Sequence, residues 1–282
     1  MENKKFDGII IVSDMDGTFL GLGARVIPEN LEAIQYFKQN GGRFTFATGR
    51  THHNIRKSLG DVNKVANAPA ITVNGACVYD FSKNSPALEY RMDTKKVIEL
   101  VSYCRENLGD VALRCSTPYG FMTDKITGLI KKDFDSFLSG GDCGIAKELC
   151  IDAWKNEIIH KIVFRDEAEM LIKVREALEP IFCEDFTFVT SSPRFLELNV
   201  KGCSKAVGIE YLRGAYSTDE KRATIIAVGD YENDIEMLKA ADVAACPDNA
   251  MKSVKSICGI KLCHHDKGAI AELIGMLYKS KQ

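Results

Sequence analysis

No window of this 282-residue sequence approaches the roughly 20 consecutive apolar residues that a membrane-spanning helix needs, so no membrane partner is expected. Nor is there an excess of either charge. Lys and Arg number 37 against 39 Asp and Glu, a formal net charge of −2, which removes the electrostatic argument for nucleic acid or an anionic membrane as a partner. A small anion held in a local basic pocket remains compatible with that balance. Only four strongly apolar residues, 9–12, lie between the charged start and Ser13-Asp14. A signal-peptide core takes about 7–15, so a cytoplasmic location is expected. The ten cysteines are scattered, and Cys77, Cys104 and Cys246 sit among apolar neighbours, as buried free thiols do rather than a disulfide framework. Cys258 with Cys263-His264-His265 is the one cluster of metal-ligating types. It fits no common zinc spacing and has no second pair; His264 and His265 are read as solvated loop residues. There is no internal repeat, no low-complexity tract, and no Gly-x-Gly-x-x-Gly after the first strand to receive a dinucleotide pyrophosphate.

What is present starts with Ile9-Ile10-Ile11-Val12, an all-apolar, β-branched run that reads as a strand buried on both faces. Asp14-Met15-Asp16-Gly17-Thr18 follows at once. Asp-Gly is a common turn pair; two carboxylates at a buried strand end also suit a cation or a phosphoryl group. A helix opening at Pro28 and stopped by Gly41-Gly42 comes next, then a strand over 44–47 ending in Thr48-Gly49-Arg50, a helix over 51–59, a strand over 70–73 and a returning strand over 76–80. This alternation predicts an α/β fold with a doubly wound parallel sheet, whose ligands bind beyond the carboxyl ends of the strands.

The texture changes after the polar stretch Lys83-Asn84-Ser85-Pro86, read as a linker. A helix over 93–106 capped by Asp93, with Val97, Leu100, Val101 and Cys104 on one face, precedes strands over 111–115 and 121–123. A helix over 125–138 ended by Gly140-Gly141, a strand over 160–164, a helix over 167–178 and strands over 186–190 and 195–199 follow. This predicts an inserted α+β module over 84–192 within a core formed by 1–83 and 193–282. The parallel pattern resumes with a helix at Lys205, a strand over 224–228 and the turn Gly229-Asp230-Tyr231-Glu232-Asn233-Asp234. A strand over 243–246, a helix through Val254, a strand over 260–262 and a closing helix over 268–277 complete the pattern.

Asp14, Asp16, Thr48, Lys205, Asp230, Asn233 and Asp234 therefore converge at strand ends of one sheet. Carboxylates so gathered repel one another and raise their own pKa values. A hard divalent ion such as Mg²⁺ resolves this while keeping open positions for substrate phosphate. Thr48 and backbone amides offer donors to phosphate oxygens, and Lys205 offers a point charge.

In these motifs, taken in order, the sequence resembles the haloacid dehalogenase superfamily and its Cof-type, sugar-phosphatase-like branch. Asp14 to Thr18 meets the Asp-x-Asp-Gly-Thr motif, Thr48 to Arg50 the Thr-Gly-Arg, Gly202 to Lys205 the lysine motif, and Gly229 to Asp234 the Gly-Asp-x-x-Asn-Asp. The resemblance implies a phosphatase acting on a small phosphorylated metabolite through an aspartyl phosphate, with Asp14 as nucleophile and Asp16 as the acid and base. It implies Mg²⁺ held by Asp14, the Asp16 carbonyl, Asp230 and Asp234, with Thr48, Gly49, Lys205 and Asn233 on the phosphoryl oxygens. Asp16 must start protonated, so apolar packing and neighbouring carboxylates that lift its pKa are expected. A cap closing over the strand ends would set specificity, with Arg114, Tyr119, Lys125 and Trp154 as candidate contacts or else as ordinary cap surface and core residues. A phosphomutase or phosphotransferase using the same intermediate, and a non-catalytic metabolite-sensing binder, are the competing readings; Asp16 argues against the binder. Three departures from the family pattern stand out. Ala206 replaces a usual Gly, and Cys246-Pro247-Asp248-Asn249-Ala250 and His265-Asp266-Lys267-Gly268 differ from the usual loops. Nothing in the sequence sets an oligomeric state.

Overall fold

The computed structural model describes residues 4–138 and 145–280. In chain order the strands and helices are β1 (Ile9–Ser13), β2 (Leu20–Gly21), β3 (Arg25–Val26), α1 (Pro28–Gln39), β4 (Arg43–Phe46), α2 (His52–Leu59), β5 (Ala70–Thr72), β6 (Cys77–Asp80) and β7 (Ser85–Glu89). Then come α3 (Thr94–Asn107), β8 (Leu113–Thr117), β9 (Gly120–Thr123), α4 (Gly128–Leu138), β10 (Ile145–Glu148), β11 (Lys161–Arg165), α5 (Ala168–Phe182), β12 (Phe186–Ser192) and β13 (Phe195–Val200). The chain ends with α6 (Lys205–Tyr216), β14 (Thr224–Val228), α7 (Ile235–Ala240), β15 (Val243–Cys246), α8 (Lys252–Ile257), β16 (Ile260–Lys261) and α9 (Ala269–Ser280). None of the described helices is long and apolar enough to cross a membrane.

The chain divides into two compact units, one of Met1–Gly49, Ser58–Leu88 and Ser204–Gln282, the other of Arg50–Lys57 and Glu89–Cys203. The first is built on a five-stranded sheet in the order β16-β15-β14-β1-β4, parallel throughout. All five residues of β1 are buried, which is why the strand carries no polar alternation. Burying one Ile or Val side chain contributes about 1.5–3 kcal/mol. A three-stranded sheet β5-β6-β7 meets it through a single bridge between Ala47 and Ile71. The expected linker at Lys83 to Pro86 is thus corrected. Ser85 and Pro86 begin β7, an outer strand of that sheet, where a proline costs no ladder bond. Phe19, Phe44 and Phe46 are fully buried, and Phe19 packs on the other two with centroids 6.0 and 5.0 Å away. This fixes the segment after the aspartate pair against β4.

The second unit carries a six-stranded sheet in the order β10-β9-β8-β11-β13-β12. It is antiparallel except between β10 and β9. Its core joins the predicted face of α3 (Val97, Leu100, Val101, Cys104) to Ile162, Phe164, Leu196 and Leu198. Asp93 caps α3 by accepting from the Lys95 amide at 2.9 Å. The helix expected over 125–138 begins at Gly128 instead, because Thr123 Oγ1 accepts from the Lys125 amide at 3.3 Å and donates to the Lys125 carbonyl at 3.1 Å. That side-chain turn holds the preceding segment out of the helix. The Gly140-Gly141 stop lies outside the described residues.

Candidate active site

Three strand ends and one helix start of the first unit converge. The Asp14 amide, directly after β1, donates to the Val228 carbonyl of β14 at 2.8 Å, so register alone sets the aspartate beside the loop that begins at Gly229. Gly17 has φ +78, and a Cβ there would stand 2.5 Å from Asp230 Oδ2. The turn that aims Asp14 therefore needs glycine twice, for the left-handed backbone and for the space. Thr18 Oγ1 donates to Asp230 Oδ1 at 2.8 Å, tying the first motif to the last. Lys205 is the first residue of α6, whose start is capped by Ser204 accepting from the Ala206 amide. Its Nζ, fully buried, donates to Asp14 Oδ1 and Asp234 Oδ1, each at 2.6 Å. Asp234 Oδ2 accepts from the amides of Asp230 and Tyr231 at 2.9 and 3.1 Å.

Thr48 is buried at the end of β4, and Gly49 follows it. The Thr48 carbonyl accepts from the Asn74 amide at 3.0 Å, and Asn74 Oδ1 accepts from Asn233 Nδ2 at 3.5 Å. Asn74 Oδ1 also lies 3.0 Å from where a Cβ on Gly49 would be. Asn74 thus joins two predicted motifs, a role the sequence disguised as an Asn-Gly turn. Its φ of +56 is one that Asn tolerates.

The electrostatics are those of a site short of positive charge. Burial pushes the Asp14 carboxyl well above its usual range, Lys205 pulls it down, and Asp234, Asp230 and Asp16 push it further up. Burial and Asp234 raise Asp230 to about 6, against the Thr18 hydrogen bond, Lys205 and His265. Burial disfavours the Lys205 charge, but Asp14 and Asp234 outweigh it and the ammonium is held above its usual range. One lysine thus serves three acids. Oxygens of Asp14, Asp230 and Asp234 lie within 4.8 Å of one another, a hard-oxygen set that fits a small divalent cation. Both Asp234 oxygens already have hydrogen-bond donors, so Asp14 and Asp230 present the freer ones.

The structure brings Asp14, Lys205, Asp230 and Asp234 together directly, and links Thr48, Gly49 and Asn233 through Asn74. Asp16 is exposed, which departs from the apolar packing expected around it, whereas Asp14 and Met15 before it are buried. His265 is corrected too. It is buried, with Nδ1 2.6 Å from the Leu20 carbonyl and its amide donating to Asn249 Oδ1 at 3.1 Å. Asn249 Nδ2 in turn donates to the Gly17 carbonyl at 2.7 Å, so the two loops that depart from the family pattern hold the aspartate turn. His264, His265 and Asp266 form a second group with metal-ligand atoms close together.

Of the four candidate contacts in the second unit, Trp154 is fully buried in the core, with Nε1 donating to the Leu149 carbonyl at 3.2 Å. Lys125 pairs with Asp110 at the surface, and Arg114 Nε donates to Asp133 at 3.0 Å. Tyr119 is exposed.

Strand-end carboxylates around one buried lysine, on a parallel α/β sheet with a second α+β unit, define a hydrolase of the haloacid dehalogenase class. The chain belongs to the haloacid dehalogenase-like hydrolase family, which it matches over residues 11–274, and it is an enzyme of the phosphatase kind for which its relatives are named. An HMP-PP phosphatase of Yersinia pseudotuberculosis is 27% identical over 247 residues, covering 86% of this chain and 84% of its own. A haloacid dehalogenase-like hydrolase of Bacteroides thetaiotaomicron has the same fold, with a TM-score of 0.80 at 22% identity over 96% of this chain and 99% of its own. So does BT4131, a sugar phosphatase of subclass IIB, with a TM-score of 0.77 at 20% identity over 97% and 99%.

Proposed function

We propose that the protein is a Mg²⁺-dependent phosphatase that hydrolyses small phosphomonoesters, sugar phosphates among them, through an aspartyl phosphate on Asp14. The observation that carries this reading is the Lys205 ammonium held 2.6 Å from both Asp14 and Asp234. That contact leaves the second Asp14 oxygen as the nucleophile. Asp14 attacks phosphorus; the P–O bond to the alcohol breaks as the Asp16 carboxyl gives its proton to the leaving oxygen. Asp16, now a carboxylate, takes a proton from water, whose oxygen attacks phosphorus. The Asp14–phosphorus bond breaks, and inorganic phosphate leaves. Exposure of Asp16 suits a group that must meet both alcohol and water. Lys205, Thr48, the Gly49 amide and Asn233 hold the phosphoryl oxygens while charge spreads over them. Mg²⁺ would be held by Asp14, the Asp16 carbonyl and Asp230, with Asp234 orienting Lys205 and the 230–231 amides. When bound it supplies the positive charge that these carboxylates and a phosphate dianion together require. With p-nitrophenyl phosphate, turnover should require Mg²⁺, fall to background with EDTA, and return when Mg²⁺ is added in excess. Turnover indifferent to EDTA overturns the metal assignment.

A further inference from the structure

The first unit carries a second set of donor atoms, on residues that the proposed hydrolysis does not use. Ligand atoms of His264, His265 and Asp266 lie within 4.8 Å of one another. The three are consecutive in the segment that leads into α9. The neighbouring thiol is engaged elsewhere, with Cys263 Sγ donating to the Lys267 carbonyl at 3.6 Å.

Contacts to other parts of the chain hold these donors in place. His265 Nδ1 lies 2.6 Å from the Leu20 carbonyl, so in the neutral ring that nitrogen carries the proton and Nε2 keeps the lone pair. A carbonyl on the second ring nitrogen is a usual partner of a metal-bound imidazole. Asp266 Oδ1 accepts from the Leu22 amide at 2.7 Å, which orients the carboxylate and leaves Oδ2 for a ligand. His264 Nδ1 is 3.3 Å from the Asp266 amide, a contact long enough to yield to a metal bond. Arg25 stands 3.9 Å from Asp266 Oδ1 but is 67% exposed, so solvent screens its charge.

Two imidazoles and one carboxylate suit a borderline ion such as Zn²⁺, whereas the all-oxygen set of Asp14, Asp230 and Asp234 suits Mg²⁺. Ligand atoms around a tetrahedral Zn²⁺ stand about 3.3 Å apart, so a small rotation of the side chains closes the trio onto the ion. His265 is 7% exposed and the Asp266 side chain 22%, which gives a metal access from solvent. We propose that His264, His265 and Asp266 form a second metal site, which takes Zn²⁺ in preference to Mg²⁺ and completes its coordination with water. The site has a mechanical consequence. The His265 amide donates to Asn249 Oδ1, and Asn249 Nδ2 donates to the Gly17 carbonyl. With the ring held by the Leu20 carbonyl, a metal here braces the aspartate turn at both Gly17 and Leu20.

The test uses untagged full-length protein, stripped of metal and then dialysed against Zn²⁺ in excess Mg²⁺. Retained zinc is counted by elemental mass spectrometry, and the five imidazoles are followed by nitrogen NMR. The expected result is one Zn²⁺ more in the wild-type protein than in His264→Ala. Zinc on the carboxylates is common to both, so the difference isolates the trio. Zn²⁺ should shift the ring signals of His264 and His265 and leave His52, His53 and His160 unmoved. Equal zinc in the two proteins, or a shift confined to His265, overturns the proposal. Asp266→Asn keeps an oxygen for the Leu22 amide and should weaken Zn²⁺ binding about tenfold or more; wild-type affinity in that variant overturns the site as assigned. Zn²⁺ should also raise the melting temperature of the wild-type protein by more than that of His264→Ala. An equal rise overturns the brace.

Discussion

The two sheets bury polar groups in opposite ways. In the parallel sheet the strands are mostly apolar, with small hydroxyls such as Ser13 and Thr45 among them, and the charged side chains of the site stand just beyond them: Asp14 after β1 and Asp230 after β14, with Thr48 after β4. In the six-stranded sheet polar residues sit within the strands, on one face. Lys161 of β11 faces Ser116 of β8 on one side and Asn199 of β13 on the other, and its Nζ lies 3.0 Å from Glu197. Alternate residues Ile162 and Phe164 point into the core instead. A parallel strand covered on both faces can place reactive groups only at its ends, whereas an antiparallel strand can dedicate a face to them. The first arrangement concentrates charge at a single point; the second spreads it along a surface.

The sharpest way to separate the two kinds of burial is to remove one member of each. Asp14→Asn should lower turnover of p-nitrophenyl phosphate on the order of 10³-fold or more with the circular dichroism spectrum unchanged. A variant retaining substantial turnover places the nucleophile elsewhere. Lys161→Met removes the ammonium 3.0 Å from the buried Glu197 carboxylate and should cost about 3–5 kcal/mol of stability. Lys161→Met combined with Glu197→Leu should recover most of it, as read from urea midpoints; equal losses in the single and double variants would show that the pair is not the cause.

The carboxylate centre also predicts a pH dependence. Asp230 is raised from 3.8 to about 6, and Asp14 is raised as well. A carboxyl raised in the folded state contributes stability that is fully present below its unfolded pKa and is lost as pH rises through the folded one. Without metal, this contribution fades between about pH 4 and 6. Mg²⁺ binds the deprotonated form, so its increment in melting temperature should be several degrees at pH 7.5 and clearly smaller at pH 5. An equal increment at both would sever the metal from these acids. The smallest effect belongs to the surface of the second unit. Lys125 and Asp110 are 51% and 61% exposed, and Lys125→Ala should change stability by less than about 0.5 kcal/mol. A larger loss by thermal melting would show that the pair is more than a solvated contact.

The same contrast explains what could be read from the sequence. Apolar runs ending in Asp14, Thr48 and Asp230 declared both strand and site, because burial on two faces leaves no other pattern. The face of α3 was legible for the same local reason. What escaped was set by distant partners. His265 looked solvated because the carbonyl that takes up its ring lies 245 residues away at Leu20. Asn74 looked like a turn because Gly49 and Asn233, which it joins, lie in other motifs. Trp154 offered a polar handle, yet that handle is spent on a carbonyl five residues away. The lysine motif carried no signal of its own; Lys205 is informative only once Asp14 and Asp234 flank it.

The position of β1 has a consequence for synthesis. Ile9 pairs with Thr224, 224 − 9 = 215 residues later, and the whole second unit is translated in between. At about 5–20 residues per second, the first strand waits roughly 10–40 s on the ribosome before one of its two edges can be filled. For that interval Ile9, Ile10, Ile11 and Val12 form an apolar β-edge beside β4 alone. The nascent chain is therefore exposed to chaperone capture and edge-to-edge association until β14 emerges.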